Sequence, residues 1–109
     1  MSKQVKHIVL FKVRPDFDQT EFQGLMNEIA ALQSTHPGIL GFEHGPNQTP
    51  EDRDHGYNYG FTLTLTSWEA LAQYQADPNH QATGRKLVAA CDPDHSGILA
   101  FDYEVQATS

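Results

Sequence analysis

Apolar side chains recur at every second position near the start of the chain. Over residues 4–13, Val5, His7, Val9, Phe11 and Val13 share one face, while Ile8 and Leu10 lie on the other, between Lys6 and Lys12. A period of two predicts a β-strand, and apolar residues on both faces predict a strand covered on both sides. Arg14-Pro15 ends it. The period then lengthens: Phe22, Leu25, Met26, Ile29 and Leu32 recur at helical spacing. Asp18 and Glu21 stand ahead of them as a capping box. A helix is therefore expected over roughly 18–34, broken by His36-Pro37-Gly38.

A short strand is expected over 39–45, then a polar loop, NQTPEDRDH, at 47–55. Residues 57–66, YNYGFTLTLT, alternate again. Tyr57, Tyr59, Phe61, Leu63 and Leu65 face one way; Asn58, Gly60, Thr62, Thr64 and Thr66 face the other. Ser67 caps a second helix, WEALAQYQA. It stops before Asp77-Pro78, where Asp77 caps and Pro78 opens a third helix. That helix runs to about Cys91 and turns Leu87 and Val88 inward. A last strand over about 97–105 holds Ile98, Leu99, Phe101, Tyr103 and Val105. The order β-α-β-β-α(α)-β is the split-βαβ pattern. It predicts one α+β domain over residues 1–109, with four antiparallel strands and the helices on one face.

This layering leaves the other sheet face bare. Ile8 and Leu10 point there. So does one set of last-strand residues, either Ile98 and Ala100 or Leu99, Phe101 and Tyr103. A monomer would leave that patch wet, and a two-fold dimer stacking sheet on sheet would cover it. A homodimer through the sheet faces is expected.

Composition narrows the partners. The net charge is −7 with seven Lys plus Arg and no basic stripe, so nucleic acid is not an expected partner. No apolar run is long enough to span a membrane. The basic-then-apolar start alternates and lacks a small-residue cleavage site, so it reads as a strand. The lone Cys91 forms no internal disulfide, suits the cytoplasm, and reads as a buried structural thiol. Asp92-x-Asp94-x-Ser96-Gly97 opens like a calcium loop, but Tyr103 stands where the bidentate Glu belongs, so a plain turn is expected. His36, His44, His55 and His95 lack ligand spacing, and one Cys cannot build a cysteine zinc site. No nucleophile elbow, phosphate loop or dinucleotide fingerprint is present.

The stretch YQADPNHQAT, residues 74–83, carries the candidate chemistry. Tyr74 lies near the end of one helix and His80 in the first turn of the next, so a break at Asp77-Pro78 can turn both toward the sheet. His7 shares a strand face with Val9 and Phe11. If the Tyr59, Phe61 and Leu63 face also turns to the helices, these groups line one aromatic-walled pocket, the usual form of a small-molecule site. Histidine titrates near 6.5 and can exchange a proton at neutral pH. Ionising a tyrosine at pH 7 costs about 4 kcal/mol, so Tyr74 is a neutral donor to an oxygen that gains charge. The expected roles are base for His80, donor for Tyr74, and orientation or relay for His7. The structural alternative is that Tyr74 packs in the core and His80 caps a helix.

KHIVLFKV at 6–13, GFEHGPN at 41–47, GYNYGFTLTLTSWEALAQY at 56–74, DPNH at 77–80 and ILAFDYEV at 98–105 together resemble the stress-responsive α/β-barrel (Dabb) family. The likeness covers nearly the whole chain in order. It implies a ferredoxin-like fold whose two copies pair their sheets into a dimeric α/β barrel. One member of the family closes a poly-β-ketone by aldol condensation with no metal or organic cofactor, and another branch holds a hydroxynitrile lyase. The cyclase's active tyrosine and histidine match Tyr74 and His80, and a pocket histidine matches His7. The cyclase's third-strand histidine is Tyr59 here, and the histidine before its proline is Asp77. A magnesium seen in the family sits on main-chain oxygens matching the carbonyls of Gln33, His36 and Ile39. The expectation is a homodimer with a pocket for a small hydrophobic or carbonyl ligand, needing no cofactor, with lyase- or cyclase-like chemistry. The alternative is a ligand-binding or structural stress protein without turnover. A heme-free oxygenase of the related dimeric barrels shares the topology but not these motifs.

Overall fold

The computed structural model describes residues 3–93 and 97–106. Asp94, His95 and Ser96, in the turn expected before the last strand, lie outside them. The chain runs β1 (Lys3–Phe11), α1 (Gln19–Ala31), a 3-10 turn (Leu32–Ser34), β2 (Ile39–Pro46), β3 (Tyr59–Leu65), α2 (Trp68–Ala76), α3 (Pro78–Ala90) and β4 (Ile98–Gln106). The strands form one sheet in the order β2-β3-β1-β4, and every neighbouring pair is antiparallel. This is the ferredoxin-like α+β fold. Its interior position explains why β1 is apolar on both sides.

Val5, Val9 and Phe11 of β1 and Phe61, Leu63 and Leu65 of β3 supply the sheet's side of the core. Phe22, Leu25, Met26 and Ile29 of α1 meet them, joined by Leu71 of α2 and Leu87 of α3. α1 begins one residue tighter than a capping box requires: the Asp18 carboxylate accepts from the Thr20 N–H at 3.0 Å. A short aspartate reaches two residues on more readily than three, which closes an Asx turn. Gly38 lets α2 settle on the start of β2, since a Cβ there would meet the Ala70 Cβ at 2.6 Å. α1 and α3 are tied by Thr83 Oγ1, which donates to Glu28 Oε1 at 2.6 Å.

Two facing expectations need settling. In α3 the buried stripe is Thr83, Leu87 and Ala90, and Val88 is 63% exposed rather than inward. One residue past Leu87, it is turned about 100° around the helix, off the core-facing side. In β4 the register pairs Leu99 with Leu10, Phe101 with Ile8 and Tyr103 with Lys6. Leu99, Phe101 and Tyr103 are therefore the outward set, all three exposed. The helix layer also stops short of β4, where the helix-side residues Ala100 and Asp102 remain exposed. Cys91 is buried, and burial pushes its thiol up to about 11. Among the described residues, no helix is long and apolar enough to cross a membrane.

Candidate active site

The site is built at the junction of α2 and α3, where Asp77 closes one helix and opens the next. Its N–H bonds the Tyr74 carbonyl at 3.2 Å, and its Oδ1 accepts from the Asn79 N–H at 2.7 Å. Pro78 takes the first helical position, where a missing N–H costs nothing. The two helices thus join without a linker. Leu71 and Tyr74, three apart, point α2's apolar stripe at the sheet. His80, in α3's first turn, folds back against Tyr74, with ring centroids 4.2 Å apart and planes tilted by 46°.

Tyr74 is 0% exposed, and its hydroxyl has no hydrogen-bond partner among the described residues. Burial favours the neutral phenol and drives its pKa far above the ordinary value. Three imidazoles surround it. Besides His80, His7 stands with its ring centroid 6.0 Å away and His36 at 6.4 Å. His7 is nearly buried, and its Nδ1 is 2.6 Å from Asp102 Oδ1. Asp102 is its direct cross-strand partner on β4, so sheet register makes this pair. The carboxylate fixes the ring and leaves Nε2 as its free nitrogen. His36 Nε2 meets Asp77 Oδ2 at 2.6 Å, bracing the helix junction from the turn before β2. That hydrogen bond from His36, with the Asn79 N–H, holds the Asp77 carboxyl below the usual carboxylate range. Burial lowers the His80 pKa and outweighs the opposing effect of the Gln75 carbonyl, 3.4 Å from its Nδ1. His80 is therefore neutral at pH 7 and able to accept a proton.

A cavity of about 470 Å³ opens beside these groups, toward the gap between α3 and β4. His7, Phe11, Phe61, Tyr74 and His80 line it, and Val88 and Ala100 stand among its other walls. With Val9, six of the eight residues named for the pocket thus come together. Leu63 is wholly buried in solid core, and Tyr59 lines a separate cavity nearer the start of α1. There Tyr59 Oη accepts from Gln23 Nε2 at 3.1 Å and lies 2.6 Å from His44 Nδ1. Asp102 and the His36 side chain were not singled out from the sequence. Asp102 could be placed only by the facing of β4, which alternation had left open.

The carbonyls matched to magnesium lie in the turn between α1 and β2. That of His36 already accepts the Ile39 N–H at 2.9 Å. Among the described residues no cluster of three or more His, Cys, Asp or Glu could hold a metal. Neutral carbonyls alone fit magnesium poorly, because it normally takes one or two carboxylates. No step below passes through it.

Comparison with known proteins agrees with this architecture. The family described as "Stress responsive A/B Barrel Domain" (Dabb) matches residues 5–105. The stress-response A/B barrel domain-containing protein HS1 of Arabidopsis thaliana is 26% identical over 105 residues, 96% of this chain and 93% of that protein. A dimeric ferredoxin-like protein of unknown function from Jannaschia sp. CCS1 is 34% identical, with a TM-score of 0.86 over 94% of this chain and 99% of its own. The hydroxynitrile lyase from Passiflora edulis is 20% identical, with a TM-score of 0.81 over 97% and 96% of the two chains, a likeness of fold. With the match running from the first strand to the last, this chain belongs to the stress-responsive A/B barrel (Dabb) domain family.

Proposed function

We propose that the protein is a homodimer whose Tyr74 cavity takes a small hydrophobic carbonyl compound and carries out cofactor-independent acid–base chemistry on it, as a lyase or cyclase does. The observation that carries this reading is the buried Tyr74 hydroxyl, without a partner among the described residues, and a neutral imidazole whose ring centre lies 4.2 Å from its own. An unmade buried hydrogen bond costs about 1–3 kcal/mol, so an acceptor entering the cavity relieves it. His80 removes a proton from the carbon beside the carbonyl. The C–H electrons form the C=C bond, and the carbonyl pair moves onto oxygen, where the Tyr74 O–H donates. His80 then returns the proton or yields it to the leaving group. His7, oriented by Asp102, holds the substrate or relays the proton. The Passiflora lyase lends support as a hydroxynitrile lyase on the same fold.

Because Tyr74 is 0% exposed, a substrate reaches its hydroxyl only when a neighbouring side chain moves. Half-buried His80, its ring tilted against that of Tyr74, is the candidate for that movement. The same cover favours a second reading, in which the cavity binds a ligand without turnover. Deuterium uptake by 1-phenylpropan-2-one at its α-carbons, followed by NMR, separates the two. Uptake above the buffer rate that falls in Tyr74→Phe and His80→Ala supports chemistry. Binding without uptake selects the second reading, and neither binding nor uptake sinks both.

The dimer rests on the outer sheet face, where Phe101 is 60% exposed and Leu99, Tyr103, Ile8 and Leu10 surround it. The Jannaschia relative is described as dimeric. Phe101→Glu is expected to convert the protein to a monomer in light scattering after size exclusion. A wild-type monomer would contradict the assignment.

A further inference from the structure

The cavity around Tyr59 lies apart from this chemistry and is at least as large, about 540 Å³. Its walls include Phe17 and Phe22, with Arg14, Gln19, Gln23, His44, Asn58 and Tyr59 as polar groups, and among the described residues no aspartate or glutamate lines it. That absence stands out in a chain of net charge −7. Phe22 and Tyr59 meet edge to face, ring centroids 4.8 Å apart, and add apolar surface to the wall.

The polar groups have donors to spare. Tyr59 Oη accepts from Gln23 Nε2 and shares one proton with His44 Nδ1. If the phenol donates, His44 keeps its proton on Nε2; if His44 Nδ1 donates, the phenol proton is free. Either tautomer leaves a hydrogen for a ligand. The Arg14 side chain is 39% exposed and ion-pairs with Asp16 at 3.8 Å, but its Nε is buried and has no hydrogen-bond partner among the described residues. The guanidinium lies 6.0 Å from the Phe17 ring centre, beside the apolar wall. A buried N–H without a hydrogen bond is costly, and a planar carboxylate is the acceptor that fits the guanidinium fork.

We infer that the Tyr59 cavity is a second ligand site, for a small organic carboxylate with a flat apolar body, its head on Arg14 and the His44–Tyr59 pair and its body against Phe17 and Phe22. Benzoate is the probe, and benzamide, equal in shape but uncharged, is its control. In NMR titrations of the full chain, benzoate is expected to shift the Arg14 Nε–H and His44 ring signals saturably. Arg14→Gln raises its Kd about tenfold or more, as expected for loss of a charge-assisted hydrogen bond, and Tyr74→Phe leaves it unchanged. Equal affinity for benzamide, shifts confined to the Tyr74 cavity, or an unchanged Kd in folded Arg14→Gln would each overturn the site. If Arg14→Gln does not fold, His44→Leu, on the exposed edge strand β2, takes its place with the same expected weakening.

Discussion

Tyr74 and Tyr59 lie on the same side of one sheet and are treated in opposite ways. The Tyr59 phenol is half-buried and held between an amide and an imidazole. The Tyr74 phenol is fully buried, ringed by three imidazoles, and bonded to none of the described residues. Folding alone would favour the first arrangement, because a paired hydroxyl contributes about 1 kcal/mol and an orphaned one costs as much or more. The imidazoles near Tyr74 are instead engaged elsewhere, His7 with Asp102 and His36 with Asp77. These pairings leave the phenol proton without an acceptor among the described residues, and under the proposed function a guest supplies it. One phenol is hydrogen-bonded within the fold and the other is not, among the described residues.

The sharpest way to break this contrast is to remove each hydroxyl in turn. Tyr74→Phe should slow deuterium uptake by the ketone about 10²–10³-fold, the usual loss for one oxyanion donor. Tyr59→Phe should leave that rate within twofold of wild type, roughly. Equal losses would erase the distinction. Urea unfolding reverses the order of damage. Tyr59→Phe should cost about 1 kcal/mol, while Tyr74→Phe should be neutral or stabilising, since it deletes an unsatisfied buried group. A clear stability loss in Tyr74→Phe would mean that its hydroxyl has a partner in solution.

The smallest effect concerns pH. Burial lowers the folded-state pKa of His80, so the unfolded chain takes up that proton more readily. The stability linked to His80 is complete above its ordinary value of about 6.5 and is lost as pH falls through the folded value. His80→Gln should therefore flatten the fall in stability below about pH 7, while Tyr59→Phe leaves its slope unchanged. An unaltered slope in His80→Gln would count against a buried, neutral imidazole.

Periodicity alone carried the fold a long way. The two-residue repeat of Val5, His7, Val9 and Phe11 placed His7 inward, and Asp77-Pro78 located the joint between α2 and α3. What escaped were contacts that depend on register or on angle about an axis. His7 and Asp102 are 95 residues apart and meet because β1 and β4 pair with that offset, which no local pattern encodes. Tyr59 was grouped with Phe61 because both face the helices, as they do. Alternation fixes the side of a residue but not its distance along the strand, and Tyr59 opens β3 beyond the reach of Tyr74. Val88 failed in a similar way, since neighbours on a helix diverge by about 100°.

The joint at Asp77 allows almost no change of length. One residue finishes α2, starts α3 and anchors the His36 ring. Asp77 is extended, so a single inserted amino acid there would split the shared cap and redirect α3, moving the imidazole of position 80 off the phenol while leaving each helix intact.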